Sequence, residues 1–557
     1  KDKEENFLQG NNGYPSIPQT NFKKIPGSPI AYWVSKRVIN LFVDKNNLGA
    51  DFYSSNGVQT GKNELYVRFW NEVNFKKNHK WFPYIKGGPF RKWYGNNSWV
   101  VNWENNGNEI RSEKNSCTRG EEYYFQECVS WSDVTSGNLG ARYYKEGFLF
   151  DASGPACFPL KETSLEMVLG ILNSKFSNNV AKLLNPTLHF QSGNFRNIPL
   201  IKIENEKFKK IVGECVSFSM KDWDSREISW DFEQSPLLHK SSSLKQAYKN
   251  WQTVVTQDFF QLHSNEEELN RIFIDIYGLQ DELTAEVALK DITILQDELN
   301  VKDLEALEPK FRAESAAGII LPIDKAAVMQ QFISYAIGLF MGRYRLDKPG
   351  LNIAHPNPTA EELASYDYNN GHVTIDEDAI VPLMGTAANF KDDALYQIQE
   401  LLDTIWGKDT RTENLNFLQD GLNKDLEKYL VKDFWKYHCK TYKKKPIYWL
   451  FSSKKGAFQV LVYMHRMNAF TVEKIRANYL LEHLKNLNAE ITALEKDKAN
   501  LNTQEARKLD QLRKDLLECE EYDMHLKNAA DAQITFDLDD GVTENYKLFE
   551  DVVAKIK

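Results

Sequence analysis

The hydrophobic pattern of this chain changes once, near residue 200, and that change limits the folds open to it. From about Asn56 to Leu160, brief alternating aromatic and polar runs are broken by turns, as in Trp99-Val100-Val101-Asn102-Trp103 followed by Asn105-Asn106-Gly107-Asn108. A period of two residues punctuated by Asn-Gly turns is the signature of strands and hairpins. Beyond Leu200 the fill passes from Gly and Asn to Glu, Lys, Leu and Gln, and the apolar spacing becomes helical, as in Trp251 to Phe260, Glu266 to Tyr277 and Lys325 to Met341. At 557 residues the chain is too long for one hydrophobic core. The expected fold is therefore a mixed α+β multidomain protein, a β-rich domain followed by a mostly α-helical region.

Finer signals divide it further. Residues 1–24 are polar and read as a linker, and Ser28-Pro29 is expected to start a short helix running to Leu41-Phe42. Residues 25–200 form the β-rich domain and include a helix over 163–184, ended by Asn185-Pro186. A helical domain at 201–345 is separated from a helical lobe at 377–470 by a polar connector at 346–376. Leu480, Leu484, Leu487, Ile491 and Leu494, then Leu509, Leu512 and Leu516, make two apolar seams with a polar break at 500–504. They predict an antiparallel, coiled-coil-like hairpin at 471–530 that serves as a packing element, followed by a C-terminal segment at 531–557.

Charge follows the same division. The net charge is −9, yet residues 1–200 carry 24 Lys+Arg against 18 Asp+Glu, and the remainder carries 45 against 60. The basic part also holds 32 of the 70 aromatic residues. Cations with flat rings suit a nucleic-acid surface, and an aromatic core in a β-rich domain accounts for the same composition. No apolar run reaches the length of a membrane span, the first residues have no apolar signal region, and a cytoplasmic location is expected. The six cysteines form no CxxC pair and are expected to be free thiols. The chain begins without methionine and is expected to be a piece of a longer protein.

A search for catalytic chemistry returns little. Gly57-Val58-Gln59-Thr60-Gly61-Lys62-Asn63 falls one residue short of a phosphate-binding loop and has Asn63 where a hydroxyl should follow the lysine. No GxGxxG and no HExxH occur, and no metal site is expected. Glu308-Pro309-Lys310 has an acid-x-Lys form, but its upstream context fails a nuclease centre. A base-methylating loop of polar-Pro-Pro-aromatic type is absent, since Asn185-Pro186-Thr187 shares only its first two letters. Two polar-aromatic segments stand out instead. One runs from Lys76, Lys77 and Lys80 through Trp81 to Arg91-Lys92-Trp93-Tyr94. The other runs from Trp131 to Tyr144 and is either a base-reading element or an ordinary polar hairpin.

Several segments in order resemble a known family. Ile25 to Trp33 (IPGSPIAYW), Gly57 to Asn63, Lys86-Gly87-Gly88 to Trp93-Tyr94-Gly95-Asn96, Leu172-Asn173-Ser174-Lys175 to Asn185-Pro186-Thr187, Gly338 to Asp347 (GLFMGRYRLD), Tyr448 to Phe458 (YWLFSSKKGAF) and Asp539-Asp540-Gly541-Val542 are similar to PglX, the adenine-specific DNA methyltransferase family of BREX phage-defence systems. The resemblance covers nearly the whole chain. It implies that residues 25–200 are a target recognition domain for double-stranded DNA. It also implies that the catalytic half and its S-adenosylmethionine lie in a missing N-terminal portion, a partner without which this chain is expected to be inactive; no cofactor is expected here. Lys62, Lys76, Lys77, Lys80, Lys86, Arg91 and Lys92 become candidates for phosphate contacts, and Ser132, Asp133, Thr135, Ser136, Asn138, Arg142 and Tyr143 for base reading. Trp93 and Tyr94 become candidates for stacking. The alternative is an interaction module that docks other BREX proteins or a phage DNA-mimic inhibitor.

Overall fold

The protein is α+β, about half helix and 12% strand. The computed structural model describes residues 5, 8–9, 18–31, 33–43, 46–75, 79–135, 137–185, 187–203, 205–314, 316, 318–369, 371–496 and 501–557. Of the candidates above, Lys76, Lys77 and Ser136 lie outside these residues, as does most of the expected linker.

Among the described residues, eight strands build the β-rich part: β1 (Phe52–Ser55), β2 (Val67–Phe69), β3 (Trp81–Ile85), β4 (Trp99–Asn102), β5 (Cys128–Trp131), β6 (Ala141–Tyr144), β7 (Leu149–Phe150) and β8 (Ala156–Pro159). They form two four-stranded sheets, ordered β1-β8-β5-β6 and β2-β4-β3-β7, antiparallel except where β7 runs parallel to β3. Strand alternation sorts the first sheet's side chains into two cores. Val129 and Trp131 of β5, Ala141 of β6 and Cys157 of β8 face helices, whereas Cys128, Tyr144, Ala156 and Phe158 face the second sheet. The first sheet is thus the middle of three layers, which is why aromatic residues are so dense here. Each fully buried ring removes ~150–250 Å² from water, about 4–6 kcal/mol at ~25 cal/mol per Å². The expected turn after β4 is present, with Asn105, Asn106 and Gly107 at φ of 49°, 59° and 70°.

Helix boundaries differ from expectation where side chains cap them. The helix expected from Ser28-Pro29 instead occupies Lys36–Leu41, because the Ser35 side chain accepts from the Val38 amide. The single helix expected over 163–184 is two, Leu165–Leu172 and Lys175–Leu184, since Ser174 accepts from the Ser177 amide and restarts the backbone. Conversely, the two helices expected at 251–260 and 266–277 are one 34-residue helix, Leu244–Tyr277, closed by Gly278 at φ 64°. Its first turns lie in one core (Leu244, Ala247, Tyr248) and its second half in another (Phe259, Leu269, Phe273, Tyr277).

The C-terminal core spans from Phe232 to Val553 and includes Ile353, Tyr366, Val373 and Ile375. Two small sheets belong to it: the hairpin β9 (Tyr366–Tyr368) and β10 (Gly371–Val373), and β11 (Ile380–Pro382), β12 (Tyr448–Ser452) and β13 (Gln459–Tyr463), ordered β11-β13-β12. The expected hairpin is Leu481–Lys496 against Thr503–Asp531, the second started by a capping box between Asn502 and Glu505. Arg476 pairs with Asp523 at 2.7 Å and Lys508 with Glu490, the ladder of an antiparallel pair. Glu518 accepts from Ser453 and the Lys455 amide, tying the hairpin to the sheet. Among the described residues, no helix is long and apolar enough to cross a membrane.

Candidate nucleic-acid interface

The β5–β6 register, Trp131 opposite Ala141, leaves residues 132–135 and 137–140 in a loop at one end of the first sheet. Neighbours on every side fix it. The Thr135 amide donates to the Leu188 carbonyl at 2.8 Å and the Phe190 amide to the Asp133 carbonyl at 2.7 Å. From the helix side, the Asn178 and Asn173 side chains accept from the amides of Leu139 and Ala141 at 2.6 and 2.8 Å. A second loop lies alongside: the Gly88 amide donates to Ser132 Oγ at 3.1 Å, and the Trp93 amide to the Ala141 carbonyl at 2.8 Å.

Between the two loops is a cleft of about 350 Å³, lined by Gly88, Phe90, Ser132, Thr135, Asn138 and Arg142 among others. Four of the base-reading candidates thus converge on one place. They do not play equal parts. Arg142 is 1% exposed, and its guanidinium donates to Tyr144, the Arg91 carbonyl and Ser132, so it fixes the floor and orients Ser132. Ser132, Thr135 and Asn138 remain accessible. Asp133 turns away to His189 at 2.9 Å, and Tyr143 donates to Glu127, so neither lines the cleft. Asp291 also lines the cleft, a carboxylate that sequence reasoning missed because it comes from the helical part, 150 residues beyond the loop.

The phosphate candidates are placed differently from expectation. Each of the five described cations makes an ion pair: Lys62 with Glu113 at 3.0 Å, Lys80 with Asp539 at 2.8 Å, Lys86 with Asp151 at 2.8 Å, Arg91 with Asp222 at 2.5 Å, and Lys92 with Glu266. Arg91 and Lys92 are buried and act as internal ties from the loop that carries them to the helices Glu206–Asp224 and Leu244–Tyr277. Burial pushes the Asp222 carboxyl up, but Arg226 and Arg91 outweigh it and hold it below the usual range. The stacking candidates are corrected likewise. Trp93 and Tyr94 are at most 2% exposed, and Trp93 Nε1 donates to Glu266 at 2.7 Å. A base cannot reach either face.

Other groups stand on the elements that hold the loop. The helix Lys175–Leu184, which supplies Asn178 to the loop, carries Lys175 and Lys182 seven residues apart on the same face. Neither makes an ion pair among the described residues. Val134 and Leu188 are exposed beside the hydroxyls. The helical periodicity was the signal that could have singled out the lysines.

The near-miss phosphate loop has a structural explanation. The Val58 amide donates to the Phe150 carbonyl and the Gln59 amide to the Cys117 carbonyl, both at 2.7 Å, so neither is free for a phosphate. Gly57, at φ +65°, is there because a Cβ would sit 2.1 Å from the Phe150 carbonyl oxygen. Glu308-Pro309-Lys310 lies in the helix Val301–Glu314, with Glu308 bonded to Arg312.

Comparison with known proteins adds the decisive observation. The chain is 35% identical over 586 aligned residues, all of it and 47% of the relative, to the adenine-specific methyltransferase BrxX of Escherichia coli O9:H4 (strain HS). It is 36% identical over 568, with 95% of it and 45% of the relative covered, to the adenine-specific methyltransferase PglX of Lacticaseibacillus casei (strain Zhang). The chain is a relative of the BrxX and PglX methyltransferases. It spans about half the length of these curated relatives. No family model matches it.

Proposed function

We propose that this chain supplies target recognition to an adenine-specific DNA methyltransferase of a BREX system. The cleft between residues 88–90 and 132–142 reads base edges in duplex DNA. The observation that carries this reading is the convergence of Ser132, Thr135, Asn138 and Asp291, two hydroxyls, an amide and a carboxylate, around a rigid floor in a chain so extensively similar to such enzymes. Those groups match the donor and acceptor pattern of a major groove, and Val134 adds an apolar contact suited to a thymine methyl. Lys175 and Lys182 neutralise flanking phosphates in this reading. S-adenosylmethionine and the methyl-transfer residues belong to the portion of the relatives that this chain does not match.

The test is selection of bound duplexes from a randomised pool, at two salt concentrations. An enriched motif containing adenine is expected, lost in the triple variant Ser132→Ala, Thr135→Ala, Asn138→Ala. Lys175→Ala with Lys182→Ala should lower the salt slope by about 1.8, at ~0.9 per phosphate contact, with the motif unchanged. An enriched motif that survives the triple variant would remove the cleft from the interface. A protein-docking role has one observation in its favour: Leu517 and Met524, seven residues apart on the second hairpin helix, are both exposed.

A further inference from the structure

Five lysines of the C-terminal body follow a spacing that ion pairing does not explain. Lys428, Lys432, Lys436, Lys440 and Lys444 recur at every fourth residue through the helices Leu426–Lys432 and Phe434–Thr441 and the turn after them. Residues four apart stand on one ridge of a helix, ~6 Å apart along its axis. All five are exposed, and none makes an ion pair among the described residues. The end of the ridge breaks a local rule. Lys443 and Lys444 have φ of 50° and 63°, the left-handed region where glycine or asparagine ordinarily ends a helix. The Lys444 amide closes the helix by donating to the Cys439 carbonyl at 2.7 Å. Lys443 lies over the Phe69 ring at 5.3 Å, which accounts for its side chain; Lys444 has no carboxylate or ring against it among the described residues.

Nearby acids do not cancel the ridge. Residues 424–445 hold eight lysines against three carboxylates, within a region 201–557 that carries 45 basic residues against 60 acidic. Each of the three has a partner of its own: Asp425 accepts from the Lys428 amide at 3.1 Å, Glu427 from the Thr386 amide at 2.9 Å, and Asp433 pairs with Lys424 at 2.5 Å. Asp297 and Asp324 share a depression with Lys436 and Lys440, Asp297 standing 3.5 Å from Arg226 and Asp324 accepting from the Ala326 amide; Lys428, Lys432 and Lys444 are not part of its lining. Cations on an acidic body lower its net charge, so solubility does not account for them. Their position is also specific. Gln296 donates to the Phe90 carbonyl at 3.1 Å, Phe90 lines the cleft between residues 88–90 and 132–142, and the next residue, Asp297, lines the depression with Lys436 and Lys440. One residue of chain thus joins the rim of the cleft to the margin of the ridge.

We propose that this ridge binds one phosphate backbone of duplex DNA, whatever its base sequence, and so holds the duplex beside the cleft. The choice of DNA as occupant rests on the target-recognition role proposed above. Phosphates of one strand succeed one another at ~3.4 Å of axial rise, so lysines ~6 Å apart meet about every second one. Such contacts fix the duplex in place and leave the reading of bases to the cleft.

Fluorescence anisotropy of the chain with a mixed-sequence duplex, across a series of salt concentrations, is the experiment. The quintuple variant Lys428→Gln, Lys432→Gln, Lys436→Gln, Lys440→Gln, Lys444→Gln should lower the salt slope by about 4.5, at ~0.9 per phosphate contact, and weaken binding at least tenfold at about 0.1 M salt. Arginine at the same five positions should retain both. The side chains are exposed, so the glutamine variant should melt as the parent does. Chemical acetylation of the five lysines in the parent should slow when duplex is added. A slope lowered by less than one unit, acetylation indifferent to duplex, or no duplex binding by the parent at about 20 mM salt, where attraction to phosphate is little screened, would overturn the proposal. Failure of the base-reading role gives a different result. Ridge-dependent binding with no motif enriched from a randomised pool removes the cleft and keeps the ridge. A motif enriched equally by parent and glutamine variant, with the slope unchanged, keeps the cleft and removes the ridge.

Discussion

Substituting Glu266 tests whether the loop that carries Lys92 and Trp93 is held by its buried charges. Lys92 and Glu266 have side chains 7% and 4% exposed, and the other Glu266 oxygen accepts from Trp93 Nε1 at 2.7 Å. Glu266→Gln preserves the acceptor for Trp93 but leaves the Lys92 ammonium buried without a counter-charge. Breaking one side of a buried pair costs about 3–5 kcal/mol. A multidomain chain does not unfold in two states, so the effect is best read locally, by hydrogen exchange of peptides spanning residues 86–95 and 139–145. The amides to follow are Trp93, bonded to the Ala141 carbonyl, and Tyr143, bonded to the Trp93 carbonyl, each at 2.8 Å. At ~1.4 kcal/mol per factor of ten, their exchange should accelerate by roughly two to three and a half orders of magnitude. Lys92→Met added to Glu266→Gln removes the stranded charge and should recover most of that loss. Acceleration of less than about fivefold in the single variant, or a double variant as labile as the single, would refute this account of the loop's rigidity.

Three further outcomes follow from local geometry. Asp539→Ala removes the partner of Lys80 at 2.8 Å and of Trp81 Nε1 at 2.6 Å; a loss of about 1–3 kcal/mol is expected as faster exchange over residues 537–547, and unchanged exchange would show the contact to be idle. Gly57→Ala drives a Cβ into the Phe150 carbonyl at an unfavourable φ of +65° and should cost at least about 2 kcal/mol; a melting curve like that of the parent would contradict it. Burial, reinforced by Asp378 and Asp392, pushes the Asp376 carboxyl up to about 8. The folded state therefore holds this proton more tightly than the unfolded one, and stability falls as pH rises from about 4 through 8. Asp376→Asn should remove on the order of 1–3 kcal/mol of that decline between pH 5 and 8, and parallel pH–stability curves for parent and variant would exclude the effect.

The elements of this fold were legible wherever one period governed a segment. The alternation through β5, β6 and β8 foretold strands, and only the structure showed that the alternate faces feed two different cores. The seams from Leu480 to Leu516 foretold the hairpin because each apolar residue meets its partner nearby. Local caps defeated the same reasoning at Ser174, where apolar spacing continues across a backbone break. Continuity defeated it at His263-Ser264-Asn265, polar residues that read as a gap yet stay helical, with His263 bonded to the Val287 carbonyl. Four positions of the cleft were legible as a cluster of polar side chains in one segment, Ser132 to Arg142. Its cations were not, because their partners stand 51 to 459 residues away, and no local pattern distinguishes a lysine that meets a phosphate from one that meets Asp539.

The 34-residue helix Leu244–Tyr277 is about 50 Å of unbroken rod at ~1.5 Å per residue. Because one half is packed with the β-rich part and the other with the C-terminal body, it acts as a ruler between them. One residue inserted midway would rotate everything beyond it by ~100° and swing its buried face out of register. Exchange of the β-rich part, by recombination or by design, is thus constrained to joints that leave this rod whole. A foreign β-rich part can be moved in with its share of the helix, but not spliced into the middle of it.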